Sequence, residues 1–174
     1  SFFYIGILVM TTVVFSHGKE SGPWGSKITT LSNVANDMGF GVESIDYQDL
    51  DCPEARLERL KETIAEKCND VVLVGSSMGG YVSLAAASQI SARGVFLMAP
   101  ALYLPNYKVQ RFPYDGYVSL VHGWNDEIVP IENSLKYARH QKAQLLLLND
   151  GHRLANSKSV ISPFFRNWLE KFRY

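Results

Sequence analysis

A layered α/β architecture, a mostly parallel sheet of about six strands with helices on both faces, is the fold class this chain predicts. Three observations carry it. Short apolar runs bounded by turn formers alternate with stretches whose apolar residues recur at helical spacing, from Thr11 to the C-terminus. Several runs, VVLV at 71–74 and VFLM at 95–98 among them, are apolar throughout, which marks strands buried on both faces. His17, Ser77, Asp126 and His152 each stand just after such a run, at the carboxyl ends where parallel sheets gather their chemistry.

The elements follow in order. TTVVF at 11–15 is rich in β-branched residues and reads as a central strand, ending in Ser16-His17-Gly18. After the loop KESGPWGS, the positions Ile28, Leu31, Val34, Ala35 and Met38 trace a helix that Gly39 closes. GVESIDY at 41–47 is the next strand. Asp51 and Glu54 form a capping-box pattern with Pro53 in the first turn, and Leu57, Leu60, Ile64 and Cys68 mark one helix face. The strand at 71–74 breaks at Gly75-Ser76-Ser77-Met78-Gly79-Gly80 into a helix that packs closely on the sheet. VFLM, YVSLV at 117–121 and QLLLL at 144–148 are further strands. Between the first two of these, residues 101–116 carry turn formers and little helical period. One helix starts at Pro130, and the last carries an apolar stripe from Val160 to Phe172.

Composition narrows the class. A chain of 174 residues, 47% hydrophobic and 20% charged, suits one globular domain without linkers or repeats. Seventeen basic and seventeen acidic residues cancel, so no net field favours nucleic acid or an anionic membrane surface. Cys52 and Cys68 make no disulfide framework and suit a reducing, cytoplasmic setting. The apolar run from Phe2 to Phe15 is too short to span a membrane. Residues 1–10 of the chain are expected to be a leader, a non-native extension, an extra edge strand or a hydrophobic arm.

The chemistry concentrates at Ser77. Gly75-x-Ser77-x-Gly79 on a strand-to-helix turn is the pattern of a nucleophile elbow. The glycines leave room where the backbone doubles back, and the helix N-terminus favours developing negative charge. Neither G-x-G-x-x-G nor a lysine after the glycines is present, so a phosphate cradle does not fit. A serine hydroxyl needs a base, normally a histidine oriented by a carboxylate. Of four histidines, His140 falls on a helix, and His17 and His122 each precede a glycine in a turn. His152 follows the last strand. Asp126 is the favoured acid, with a helix-capping role as its alternative; Glu127 is the rival, and Asp150 reads as a turn former.

With FSHGKESGP, GSSMGGY, HGWNDEIVP and DGHR in place, the chain resembles the small α/β-hydrolases, including compact bacterial carboxylesterases and dienelactone-hydrolase-like proteins, from about Thr11 onward. The resemblance implies Ser77 as nucleophile, His152 as base and acid, Asp126 as orienting carboxylate, and an oxyanion hole from the backbone N–H groups of Met78 and Lys19. It also implies the strand order GVESIDY, TTVVF, VVLVG, VFLM, YVSLV, QLLLL; unlike larger members, the chain shows no helical cap domain between Pro100 and the acid-bearing strand. Leu102, Tyr103 and Trp124 are the expected substrate contacts. The expected activity is cleavage of a small-molecule carboxylic ester by a monomer or homodimer needing no cofactor or metal. The alternatives are an acyl thioesterase and a non-catalytic ligand-binding protein on the same fold.

Overall fold

The computed structural model describes residues 9–173. The expected edge strand, leader or arm over residues 1–10 falls mostly outside them. The elements are β1 (Thr12–Ser16), α1 (Ser26–Asp37), β2 (Gly41–Ile45), α2 (Pro53–Lys67), β3 (Val71–Ser76), α3 (Met78–Ala87), β4 (Gly94–Met98), β5 (Tyr117–Gly123), α4 (Ile131–Gln141), β6 (Gln144–Leu148) and α5 (Lys158–Leu169). They build one six-stranded sheet in the order β2-β1-β3-β4-β5-β6, with every neighbouring pair parallel. Both the order and the inner position of β3 match expectation.

Successive side chains of a strand point to opposite faces, and along the inner strands both faces are buried. Val13, Phe15, Val72, Val74, Phe96 and Met98 enter one apolar cluster with residues of α1 and α5. Val14, Leu73, Val95, Leu97 and Leu120 enter the other, with residues of α2, α3 and α4. The chain therefore leaves β1 toward one face and β3 toward the other. β1 and β3 lie side by side, so their outgoing loops part above the sheet and open a crevice at the topological switch point. Ser77 stands at its edge.

Local chemistry accounts for the ends of the elements. Gly39, at φ 88, closes α1: its own N–H bonds Asn36 O, and Phe40 N–H reaches Ala35 O. The expected capping box at α2 does not form. Cys52 takes the N-cap position without a side-chain bond to the helix backbone. Glu54 instead accepts Tyr81 Oη–H at 2.9 Å and the Lys108 N–H at 3.2 Å. It thereby ties α2 to α3 and to the crossing at 101–116.

That crossing is not a cap over the site. Leu102, Tyr107, Phe112 and Tyr114 are buried against the α3 and α4 face. Tyr81 meets Tyr107 edge-on at 4.7 Å and Phe112 at 6.2 Å. The aromatics of this segment thus complete the core. No helix among the described residues is long and apolar enough to cross a membrane.

Candidate active site

The turn after β3 places Ser77 at φ 55 and ψ −119, a conformation L-residues rarely adopt. Its backbone is held on every side. The N–H bonds Met98 O at 3.0 Å, and the carbonyl accepts from Gly80, Tyr81 and Ala101. The glycines are required by close approach. A Cβ on Gly75 would collide with the Gly79 carbonyl, one on Gly79 with Ser16 O, and one on Gly80 would come within 2.7 Å of Pro100 Cβ. The turn is tight enough to raise the hydroxyl above the sheet.

Two loops bring the other groups to it. The loops after β5 and β6 are stitched together: Trp124 N–H bonds Leu148 O, Asn125 N–H bonds Asp150 O, and Asn125 Nδ2 bonds Asn149 Oδ1. A Cβ on Gly123 would strike the Asp150 carbonyl. Asp150 organises the second loop, accepting from Gly151 N–H, Asn156 N–H and Ser157 Oγ–H ahead of α5. It is thus the loop former its sequence context suggests.

His152 Nε2 lies 3.0 Å from Ser77 Oγ, and its Nδ1 lies 2.7 Å from Asp126 Oδ2. With Nδ1–H donating to the carboxylate, Nε2 is free to accept the serine proton. Asp126 has no exposed side-chain surface. Its Oδ1 accepts from the N–H groups of Ile128 and Val129, each at 2.8 Å. The carboxylate therefore shapes its own loop while facing the histidine, although α4 itself begins later, behind Pro130. Burial alone would push the Asp126 pKa up. The bonds from His152, Val129 and Ile128 outweigh it and hold the carboxyl below its ordinary value.

The loop after β1 passes beside the serine, since a Cβ on Gly18 would lie 3.3 Å from Ser77 Cβ. Neither the Met78 nor the Lys19 backbone N–H has a protein acceptor among the described residues. The Lys19 side chain is exposed. His17, fully buried, is a structural residue: its Nδ1–H donates to Gly18 O at 2.7 Å, and its Nε2 accepts the Tyr47 N–H at 2.9 Å. Burial, foremost, holds its pKa below the ordinary value. Arg56 completes the support. Only 1% exposed, its guanidinium donates to Leu50 O at 2.8 Å, His17 O at 3.1 Å and Gly18 O at 3.4 Å. It turns the carbonyls of that loop inward.

The expected substrate contacts separate. Leu102 is a correction: with no exposed surface it belongs to the core, because the segment folds onto the sheet instead of rising from it. Tyr103 is half-buried at φ 57, with Lys136 Nζ 4.1 Å from its ring centre. Trp124 is 57% exposed. Lys27, near Asp126, Asp150 and Arg153, is pushed down to about 8, by burial first and by Arg153 next. Arg56 and the contact of His122 with Asp126 escaped sequence reasoning. Arg56 did leave a trace: it sits four residues before Leu60 and eight before Ile64, on the apolar stripe of α2. No group of three potential metal ligands occurs among the described residues.

Residues 12–112, more than half of the chain, match the model of an uncharacterised protein family, UPF0227. The chain belongs to UPF0227. The matched span of this UPF0227 member includes Ser77 and ends before Asp126. A solved structure of a candidate hydrolase of the α/β superfamily from Xanthomonas campestris pv. campestris is 34% identical, with a TM-score of 0.85 over 93% of this chain and 98% of that one. Est1E from Butyrivibrio proteoclasticus is 17% identical, with a TM-score of 0.79 over 94% of this chain and 88% of that one. An α/β serine hydrolase without a lid, from Xanthomonas campestris, is 18% identical, with a TM-score of 0.76 over 97% and 85%. The UPF0227 chain thus has the α/β-hydrolase fold in its lid-free form. No curated protein matches it in sequence.

Proposed function

We propose that this chain is a serine hydrolase that cleaves small carboxylic esters through an acyl-enzyme. The observation that carries the reading is the unbroken contact series from Ser77 Oγ through His152 to Asp126, built on a turn that holds the serine at φ 55. Ser77 Oγ attacks the ester carbonyl carbon while its proton passes to His152 Nε2. The carbonyl oxygen becomes an oxyanion, and the unpartnered N–H groups of Met78 and Lys19 receive it. His152 then gives the proton to the departing alkoxide, leaving an acyl-Ser77 ester. Water, deprotonated by the same nitrogen, attacks that ester, and collapse returns free serine and a carboxylic acid. Asp126 stays ionised throughout, fixing the tautomer of His152 and stabilising its imidazolium.

The test is labelling with a fluorophosphonate probe alongside turnover of p-nitrophenyl acetate and butyrate. The parent protein is expected to label and to turn over both esters, whereas Ser77→Ala and His152→Ala fall to near background. The double variant should be no worse than either single one, because the pair acts as a unit. A Ser77→Ala variant as active as the parent would sink the reading. A folded parent inert to probe and esters would favour a binding role instead.

A further inference from the structure

We propose that His122 is a positioning residue for the Ser77–His152–Asp126 unit: a second histidine whose Nε2 edge lies against the oxygen of Asp126 that receives His152. The inference rests on the hydrolase reading above and deepens it.

His122 is the penultimate residue of β5, four residues before Asp126, and has no exposed surface. Its Nε2 lies 2.9 Å from Asp126 Oδ2 and 3.1 Å from Val129 O. Neither oxygen carries a hydrogen, so Nε2 must hold the proton, donating it to Val129 O with the Asp126 carboxylate close beside it. Its Nδ1 lies 2.7 Å from Ser134 Oγ. In the neutral ring that nitrogen accepts, and the Ser134 hydroxyl, on the buried face of α4, supplies the proton. Burial, foremost, keeps the pKa of His122 below its ordinary value despite the neighbouring carboxylate. The ring is thus a neutral donor with a fixed tautomer.

Asp126 Oδ2 therefore faces two imidazole nitrogens, hydrogen-bonded to His152 Nδ1 and with His122 Nε2 2.9 Å away, while Oδ1 receives two backbone N–H groups. Three hydrogen bonds and the close His122 ring define one orientation of the carboxylate and aim Oδ2 at His152. The polar N–H edge of His122 beside Oδ2 also offsets part of its charge, tempering its pull on the His152 imidazolium. The other titratable groups that act on Asp126 or His122 are His152 from the loop after β6 and Lys27 from α1, itself near Asp150 and Arg153, with Glu127 beside Asp126 in the chain. Of these, only His152 shares Oδ2 with His122.

His122→Leu and His122→Gln separate positioning from packing. Leucine fills space without a donor; glutamine can offer an N–H from near the Nε2 position. In His122→Leu, kcat on p-nitrophenyl butyrate is expected to fall roughly ten- to a hundredfold, the range for one hydrogen bond to a charged group, with KM little changed. The acid limb of the pH–rate profile should move to higher pH, since a less shielded carboxylate holds imidazolium more strongly. His122→Gln should recover much of both. Unchanged rate and profile in His122→Leu would overturn the proposal. So would a loss of rate with an unmoved acid limb and no recovery in His122→Gln, which marks packing alone. Proton and nitrogen NMR on the parent gives a readout independent of turnover and of how the variants fold. His122 should appear as the Nε2–H tautomer with a protected proton; an Nδ1–H tautomer would overturn the proposal even if no ester were cleaved. A parent with the expected tautomer but inert to esters and probe would fail the hydrolase reading alone.

Discussion

At Asp126 the demands of two neighbours meet in one side chain. Its Oδ1 faces two backbone donors and its Oδ2 two imidazoles, so an amide cannot replace it in either orientation. With Nδ2 toward the loop, Asp126→Asn would set an NH2 against the Ile128 and Val129 N–H groups. With Nδ2 toward His152, the wrong tautomer of that ring would be favoured. We expect Asp126→Asn to fold with a loss of about 1–3 kcal/mol from the unpaired donors. Turnover should fall by about 10⁴, less than the roughly millionfold loss expected for Ser77→Ala. Denaturant unfolding and initial rates on p-nitrophenyl butyrate read the two effects separately. A variant with parental turnover would show that the carboxylate neither orients nor stabilises His152.

At the scale of elements, α2 reaches beneath the loop after β1 through Arg56. Burying a guanidinium costs stability unless its donors are met, and here backbone carbonyls meet them; Arg56 makes no ion pair among the described residues. The geometry of the Lys19 N–H thus depends on a helix distant in sequence. Arg56→Met should keep the apolar stem while leaving the Leu50 and His17 carbonyls short of donors, for a loss of roughly 1–3 kcal/mol. Catalysis should suffer with it: kcat is expected to fall more than KM rises, because oxyanion stabilisation is felt mainly in the transition state. Thermal unfolding and steady-state kinetics test both. Full kcat in a destabilised Arg56→Met would confine the residue to stability.

For the whole molecule, the buried histidines set how stability depends on pH. His17 and His122 both titrate below the ordinary 6.5, chiefly because burial disfavours the charged form. Between that lowered range and 6.5 the unfolded chain binds more protons than the folded one, so stability rises with pH across the window and is lost as pH falls below 6.5. Asp126 and Asp150 are held below 3.8 by hydrogen bonds that outweigh the opposing effect of burial. Their contribution is present above 3.8 and disappears only as pH falls through the lowered values. The Tm should be level near neutrality and decline below about 6.5, with a second loss in the carboxylate range. His122→Leu should flatten the first step, and a profile level down to pH 5 would contradict the neutral, buried state of these rings.

Periodic burial and local backbone chemistry are written along the chain, and they made the six strands, five helices and glycine-bounded turn at Ser77 legible. The succession of Ser77, Asp126 and His152 at strand ends was legible for the same reason, because a parallel sheet carries all its carboxyl ends to one edge. The sheet order came from family resemblance, not from periodicity. Only the folded structure showed which polar groups meet across elements. Arg56 supports a loop 38 residues away in sequence, and His122, which precedes a glycine like any turn residue, shares a carboxylate with His152. Glu54 leaves the cap position its spacing suggests because Tyr81 Oη and Lys108 N–H offer it partners. Leu102 has the composition of a pocket wall and becomes core. In each case the deciding quantity is burial or pairing between segments brought together by the sheet, and neither has a local period to read.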